Sequence, residues 1–236
     1  MKTNTFRVYC KFGSICALIC GLAYICVTIC ALFSPESIIS YIASEEYFKD
    51  FQSYQPIFIG LKGLLFIANM SLIGVVITFY TLSREENKPF MAWLSILAII
   101  GFGIGMFQSI QDMTMIPYLA EQYQSSNDII KETLITIGIA NPAWYMVSLG
   151  LPGIWFIAIS LMALNNTYIP KWLILLGLAW GSGSIITAFA HLIVHILLIK
   201  LVTYGALVVA PLWSISEAIY LQRAAKKPPP YLETNE

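Results

Sequence analysis

Two histidines stand one helical turn apart in an apolar stretch, and they are the only histidines among 236 residues. His191 and His195 would share one face of a helix, because residues four apart lie one above the other. Ionisable groups at membrane depth are rare, and they mark candidate functional sites. Two neutral imidazoles at this spacing can hold a metal ion, bind a polar ligand or relay a proton.

The composition identifies the surroundings of this pair. Hydrophobic residues make up 58% of the chain and charged residues only 11%, whereas a soluble domain carries about 25% charged residues. So little polar surface predicts an all-α, polytopic membrane protein whose first partner is the lipid bilayer. The net charge is zero, which gives no indication of nucleic-acid binding.

Apolar runs long enough to cross about 30 Å of hydrocarbon recur six times. The first exceeds the apolar region of a signal peptide, so we expect it to be retained as a helix. All six belong to one transmembrane domain, residues 1–236, that ends in a flexible tail, residues 222–236. The predicted spans are residues 12–33, 57–80, 90–111, 143–164, 172–198 and 201–221.

Short sequence patterns in the fifth span and in the two longer loops predict local structure. In the fifth span, the Gly-Ser-Gly-Ser sequence at residues 181–184 favours close helix contact or a kink. The longer loops, residues 34–56 and 112–142, contain helix-start residues followed by apolar residues at helical spacing. We expect short interfacial helices in both loops.

The basic residues predict the orientation. With the N-terminus inside, the inner segments hold nine lysines and arginines and the outer segments hold three. This bias predicts that both termini are cytoplasmic. The inner set is Lys2, Arg7, Lys11, Arg84, Lys88, Lys171, Arg223, Lys226 and Lys227, and the outer set is Lys49, Lys131 and Lys200.

Counting depth along the predicted helices, at about 1.5 Å per residue, places several polar side chains in one outer-leaflet layer. Three spans contribute to the layer, and Asn69 lies below Lys62 on the same face. Gly101 and Gly105 continue the face of the third span and would let a neighbouring helix come close. The candidate ligand-binding residues are Lys62, Gln108, Gln111, Asp112, His191 and His195.

This layer admits several kinds of chemistry. His191, His195 and Asp112 could hold a zinc ion with a water molecule, as in a metal-dependent intramembrane hydrolase. The layer could instead form a cavity without a cofactor, in which Lys62 or a histidine meets a small or lipid-like ligand, or it could form a proton path. Structural packing alone is a further alternative, because a lysine can snorkel and histidines can hydrogen-bond between helices. We expect a binding cavity without enzymatic activity. As a further alternative, the protein would be a structural or interaction subunit that docks a partner through its outer loops.

A second charge lies inside the sixth span, near the inner leaflet. Glu217 would pair with Arg223, Arg84 or Lys171 at the inner rim, or it would serve as a proton or cation site. Glu217 lies near the inner leaflet and is therefore too far from the outer-leaflet histidines to share a site with them.

The second half of the chain carries a recognisable pattern. Ile169-Pro170-Lys171-Trp172-Leu173, followed by Gly177-Leu178, and Glu217-Ala218 in the last span, resemble a family of bacterial six-helix membrane proteins, domain of unknown function four-three-eight-six. The resemblance covers residues 145–221 and implies the six-helix topology and a bacterial plasma membrane, with no established activity. His-x-x-x-His near a membrane-edge Asp also resembles membrane hydrolases such as alkaline ceramidases and adiponectin-type receptors. Those proteins have seven spans and a third His, which this sequence lacks.

Overall fold

The computed structural model describes residues 3–35, 48, 51–83, 87–138, 142–164, 169–193 and 195–226. Within these residues the regular structure is helical and contains no strand. Its elements are α1 (Thr3–Leu32), α2 (Phe51–Leu82), α3 (Lys88–Ser125), α4 (Asp128–Gly138), α5 (Pro142–Tyr145), a π-helical turn (Met146–Gly150), α6 (Leu151–Ala163), α7 (Lys171–Leu192) and α8 (Ile196–Lys226).

Among the described residues, six segments are long and apolar enough to cross a membrane: α1, α2, α3, Met146–Ala163, α7 and α8. A helix satisfies its backbone hydrogen bonds internally, which lipid requires because it offers no partners. The predicted all-α, polytopic membrane fold is therefore confirmed.

The spans form a closed ring in chain order, in which α8 packs back against α1. Neighbouring helices are antiparallel: Ser14 near the start of α1 donates to the carbonyl of Ala218, whereas Thr28 near its end donates to that of Leu207. We call the end of the ring with Leu32 and Leu192 the loop end, and the end with Thr3 the terminal end.

Small residues bring α6 and α7 into backbone contact. A Cβ atom on Gly153 would lie 2.9 Å from the carbonyl oxygen of Gly181, and one on Gly181 would lie 2.8 Å from that of Gly153. Side chains larger than hydrogen do not fit at this crossing, and such close approach strengthens helix association in lipid. The contact predicted from the Gly-Ser-Gly-Ser sequence is confirmed, and α7 remains helical through it.

An aromatic cluster fills the middle of the ring. The ring of Phe156 stacks on Trp180 with centroids 4.3 Å apart and meets Trp213 edge-on at 5.0 Å. Trp155 is fully buried beside them. These large, rigid side chains fix the positions of α6, α7 and α8 around the site described below.

The third span is longer than predicted. Its predicted end was residue 111, but α3 continues to Ser125 and has 38 residues, about 57 Å at 1.5 Å per residue. Pro117 does not end the helix, because Leu119, Ala120 and Tyr123 pack with Phe51 and Phe58 of α2 in a separate apolar cluster.

The interfacial helices predicted in the two longer loops have different outcomes. The second loop contains the short helix α4, whose first turn is capped by Asn127, since its Oδ1 accepts the N–H of Ile130 at 3.0 Å. Its position at the membrane interface stays a prediction. In the first loop, residues 36–47, 49 and 50 lie outside the described residues. The flexible tail predicted from residue 222 is helical as far as Lys226, and residues 227–236 are likewise outside the described residues.

The predicted fifth span, residues 172–198, is wrong at its end, because the chain changes helix between the two histidines. The N–H of His195 donates to the carbonyl of Ala190 at 3.0 Å, which helps to close α7. The imidazole of His195 then caps α8, since its Nδ1 accepts the N–H of Leu198 at 3.2 Å. The two histidines therefore do not share one helix face.

Candidate functional site

A cavity of about 330 Å³ lies between the spans toward the loop end. All six spans contribute to its wall, the fourth through the π-helical turn. Most of the wall is apolar or small, including Leu65, Leu149, Val202 and Val209, and polar side chains gather at one part of it. We call this space the loop-end cavity.

An ion pair crosses from α2 to α3 at this cavity. The Nζ atom of Lys62 lies 2.5 Å from Oδ2 of Asp112, and the two side chains are 5% and 19% exposed. The ammonium also lies 5.4 Å from the ring centroid of Phe58, a distance that allows a cation–π interaction. Lys62 thus directs its charge to a partner within the protein, and the two formal charges cancel.

His191 is buried at the end of α7 and lines the cavity. Its Nδ1 lies 2.8 Å from the carbonyl oxygen of Thr187. Because a carbonyl only accepts, Nδ1 carries the hydrogen, and Nε2 of the neutral ring is an acceptor. The ring stacks on Tyr145 with centroids 3.9 Å apart, and Nε2 is buried with no hydrogen-bond partner among the residues that the structure describes.

The π-helical turn places a second group of side chains at the cavity. Tyr145 directly precedes the turn, and Ser148 within it donates its hydroxyl to Oε1 of Gln108 at 3.5 Å. Both residues line the cavity. Such π-helical insertions are frequent at functional sites, because they redirect side chains that a regular helix would turn elsewhere.

Asn69 lies deeper on α2 and also lines the cavity. Its Nδ2 donates to the carbonyl of Leu65 at 2.9 Å. A Cβ atom on Gly105 would lie 3.1 Å from that Nδ2, so the glycine leaves room for the Asn69 amide against α3. The predicted close approach at Gly105 is confirmed, and Gly101 similarly accommodates Pro152.

Four of the six predicted ligand-binding residues meet at the cavity: Lys62, Gln108, Asp112 and His191. Gln111 and His195 do not line it. The side chain of Gln111 donates to Sδ of Met115 on its own helix at 3.3 Å, and His195 is exposed at the start of α8. Depth along a helix does not predict the direction of the Gln111 side chain, and helical spacing does not predict the change of helix that separates His195 from His191.

The geometry gives no support to the zinc hypothesis. The described part of the chain holds no group of three His, Cys, Asp or Glu side chains that could bind a metal ion. Of the predicted ligands, His195 caps α8 and Asp112 pairs with Lys62.

Several lining residues were missed by sequence reasoning. Tyr145, Ser148, Ser184 and Thr187 all face the cavity. A partial signal existed for Thr187, which lies one turn before His191 on α7. No sequence signal distinguishes Tyr145 from an ordinary interfacial aromatic residue.

Glu217 is buried in α8 apart from this cavity. The residue is 2% exposed, and Oε1 has no hydrogen-bond partner in the described part of the chain. Two of its predicted partners, Arg223 and Lys171, are exposed and form no ion pair with it, and the third, Arg84, lies outside the described residues. The inner-rim pairing is therefore not found among the residues that the structure describes.

Comparison with known proteins gives one match. A family model described as "Domain of unknown function (DUF4386)" matches residues 19–222. No curated protein and no solved structure matches the chain. The match includes part or all of each of the six membrane helices and the whole lining of the loop-end cavity, and the chain belongs to the DUF4386 family of membrane proteins.

Proposed function

We propose that this protein binds a small or lipid-like ligand in the loop-end cavity and acts without a bound metal. The observation that carries the proposal is a cavity of about 330 Å³ with apolar walls and a localised polar group of side chains. Ligand sites in proteins have this character and begin at about 300 Å³. An amphipathic molecule satisfies both parts of such a wall at once.

The proposal includes a location for the site. The nine-to-three bias of lysine and arginine supports cytoplasmic termini, and the family resemblance supports a bacterial plasma membrane. The loop end then faces outward, and the cavity lies at the depth of the outer leaflet. A ligand would reach it from that leaflet or from the outer solution.

A side chain added inside the cavity provides the test. A Cβ atom on Gly183 would meet only Cγ1 of Val202, at an ordinary 3.4 Å, so Gly183→Leu fills cavity space without a clash at Cβ. The neighbouring Ser182 is exposed, and Ser182→Leu is the matched control. Decanol, decanoate and decylamine serve as neutral, anionic and cationic probes.

Native mass spectrometry of detergent-purified protein measures the bound probes. We expect at least one probe to form a saturable one-to-one complex with the wild-type protein and with Ser182→Leu. The same complex should be lost in Gly183→Leu. The proposal is overturned if no probe saturates, or if Gly183→Leu binds as tightly as the control.

A further inference from the structure

We infer that the ligand is an uncharged amphiphile whose polar end carries a hydroxyl group, such as a fatty alcohol or a monoacylglycerol. This inference rests on the proposed function and deepens it by assigning the class of ligand. Three features of the cavity carry it: its charge balance, the direction of its hydrogen bonds, and the amide donor of Gln108.

The charges of the lining balance. Among the described lining residues, Lys62 and Asp112 are the charged ones, and they are paired at 2.5 Å. An anionic head group would have to draw Lys62 away from Asp112, and a cationic one would have to draw Asp112 away from Lys62. Either exchange leaves a poorly solvated charge without its partner, which is costly in a buried site. A neutral head group leaves the pair intact.

Three hydroxyl groups of the lining already donate their hydrogens within the protein. Ser109, Ser184 and Thr187 each donate to the carbonyl oxygen one turn back on the same helix, at 2.8–2.9 Å. A hydroxyl has one hydrogen and two lone pairs, so each of these oxygens is left as an acceptor. The cavity therefore offers acceptors where the sequence alone would suggest donors.

Two further side chains add to this acceptor character. The amide nitrogen of Asn69 donates one hydrogen to its own helix, which leaves Oδ1 as an acceptor beside the second N–H. Nε2 of His191 is an acceptor because Nδ1 carries the hydrogen toward Thr187, and Nε2 has no partner among the described residues. A buried acceptor without a partner is costly, and a ligand that brings a donor would remove that cost.

Gln108 supplies the complementary donor. Its Oε1 accepts from Ser148, and its amide nitrogen can donate to a ligand oxygen. A hydroxyl group both donates and accepts, so it can serve the acceptors and Gln108 together. An ether oxygen can only accept, so it leaves Nε2 of His191 and the hydroxyl oxygens without a donor.

Chain-matched probes test this assignment. Decanol, decyl methyl ether, decanoate and decylamine share one alkyl chain and differ at the polar end. With wild-type protein in native mass spectrometry, we expect decanol to bind about tenfold more tightly than the ether, since one hydrogen bond contributes about that factor. We expect decanoate and decylamine to bind at least about tenfold more weakly than decanol.

The Asp112→Asn variant provides a second readout. It leaves one net positive charge in the lining, so decanoate should rise above decanol in affinity. Equal binding of the ether, tighter wild-type binding of either charged probe, or an unchanged order in a folded Asp112→Asn would overturn the inference while the proposed function stands. If the variant does not fold, the wild-type ranking decides. Absence of binding by all four probes would overturn both.

Discussion

Removing one side of the Lys62–Asp112 pair should destabilise the protein strongly. Asp112→Leu leaves an ammonium that is 5% exposed without the carboxylate now 2.5 Å away. Breaking a buried pair from one side costs about 3–5 kcal/mol. Because the side chain of Asp112 is 19% exposed, we take the lower end of that range, about 3 kcal/mol. Lys62→Met should cost a similar amount of stability, since it leaves the Asp112 carboxylate without its partner.

The double variant isolates the interaction energy between Lys62 and Asp112 from their contacts with other residues. Replacement of both members by apolar residues is often neutral in a buried site. The Lys62→Met, Asp112→Leu variant should therefore be at least about 2 kcal/mol more stable than the sum of the single changes predicts. The free energy of unfolding is measured by titrating detergent-purified protein with sodium dodecyl sulfate and following tryptophan fluorescence. Additive effects, within about 0.5 kcal/mol, would refute the argument that the two side chains form an ion pair.

Three further predictions use the same unfolding assay. His195→Ala should lose about 1 kcal/mol with its cap on α8, and His195→Asn should retain most of that stability; equal losses in both variants would count against a cap. Gly153→Ala should cost about 1–3 kcal/mol, because the added Cβ would lie 2.9 Å from the carbonyl oxygen of Gly181. The control Gly60→Ala should be neutral or slightly stabilising, because no described atom lies within 4 Å of its added Cβ. A tolerated Gly153→Ala would mean that the helices are not in backbone contact. Glu217→Gln should change stability by less than about 1 kcal/mol, since Oε1 makes no hydrogen bond that would be lost; a loss above about 2 kcal/mol would reveal a strong partner for the carboxylate.

The sequence predicts the spans well because lipid leaves the chain few choices. A long apolar run must form a helix, since the backbone has no other partner in hydrocarbon. Depth counting works for Lys62 and Asp112 for the same reason: both lie within regular helices of constant rise. Their partnership follows from an antiparallel pair of neighbouring spans, which a short connection favours.

The rest of the site depends on places where the regular helix stops. An apolar run does not distinguish one long helix from two helices that meet at a cap, so the role of His195 was missed. The π-helical turn rotates the side chains around it away from the positions that helical spacing predicts. Regular spacing therefore does not predict that Tyr145 and Ser148 line the cavity. The protonated nitrogen of His191 likewise depends on a carbonyl contact that is visible only in three dimensions.

Diffraction from crystals grown with a decanol analogue that carries bromine at the end of its alkyl chain tests the central claim most directly. The polar end should lie near Lys62, Gln108 and His191, and the chain should run toward Trp180, which lines the cavity and joins the aromatic cluster. We predict an anomalous bromine peak inside the cavity beside Trp180, which should disappear in Gly183→Leu. Bromine peaks confined to the lipid-facing surface of the ring would contradict the account.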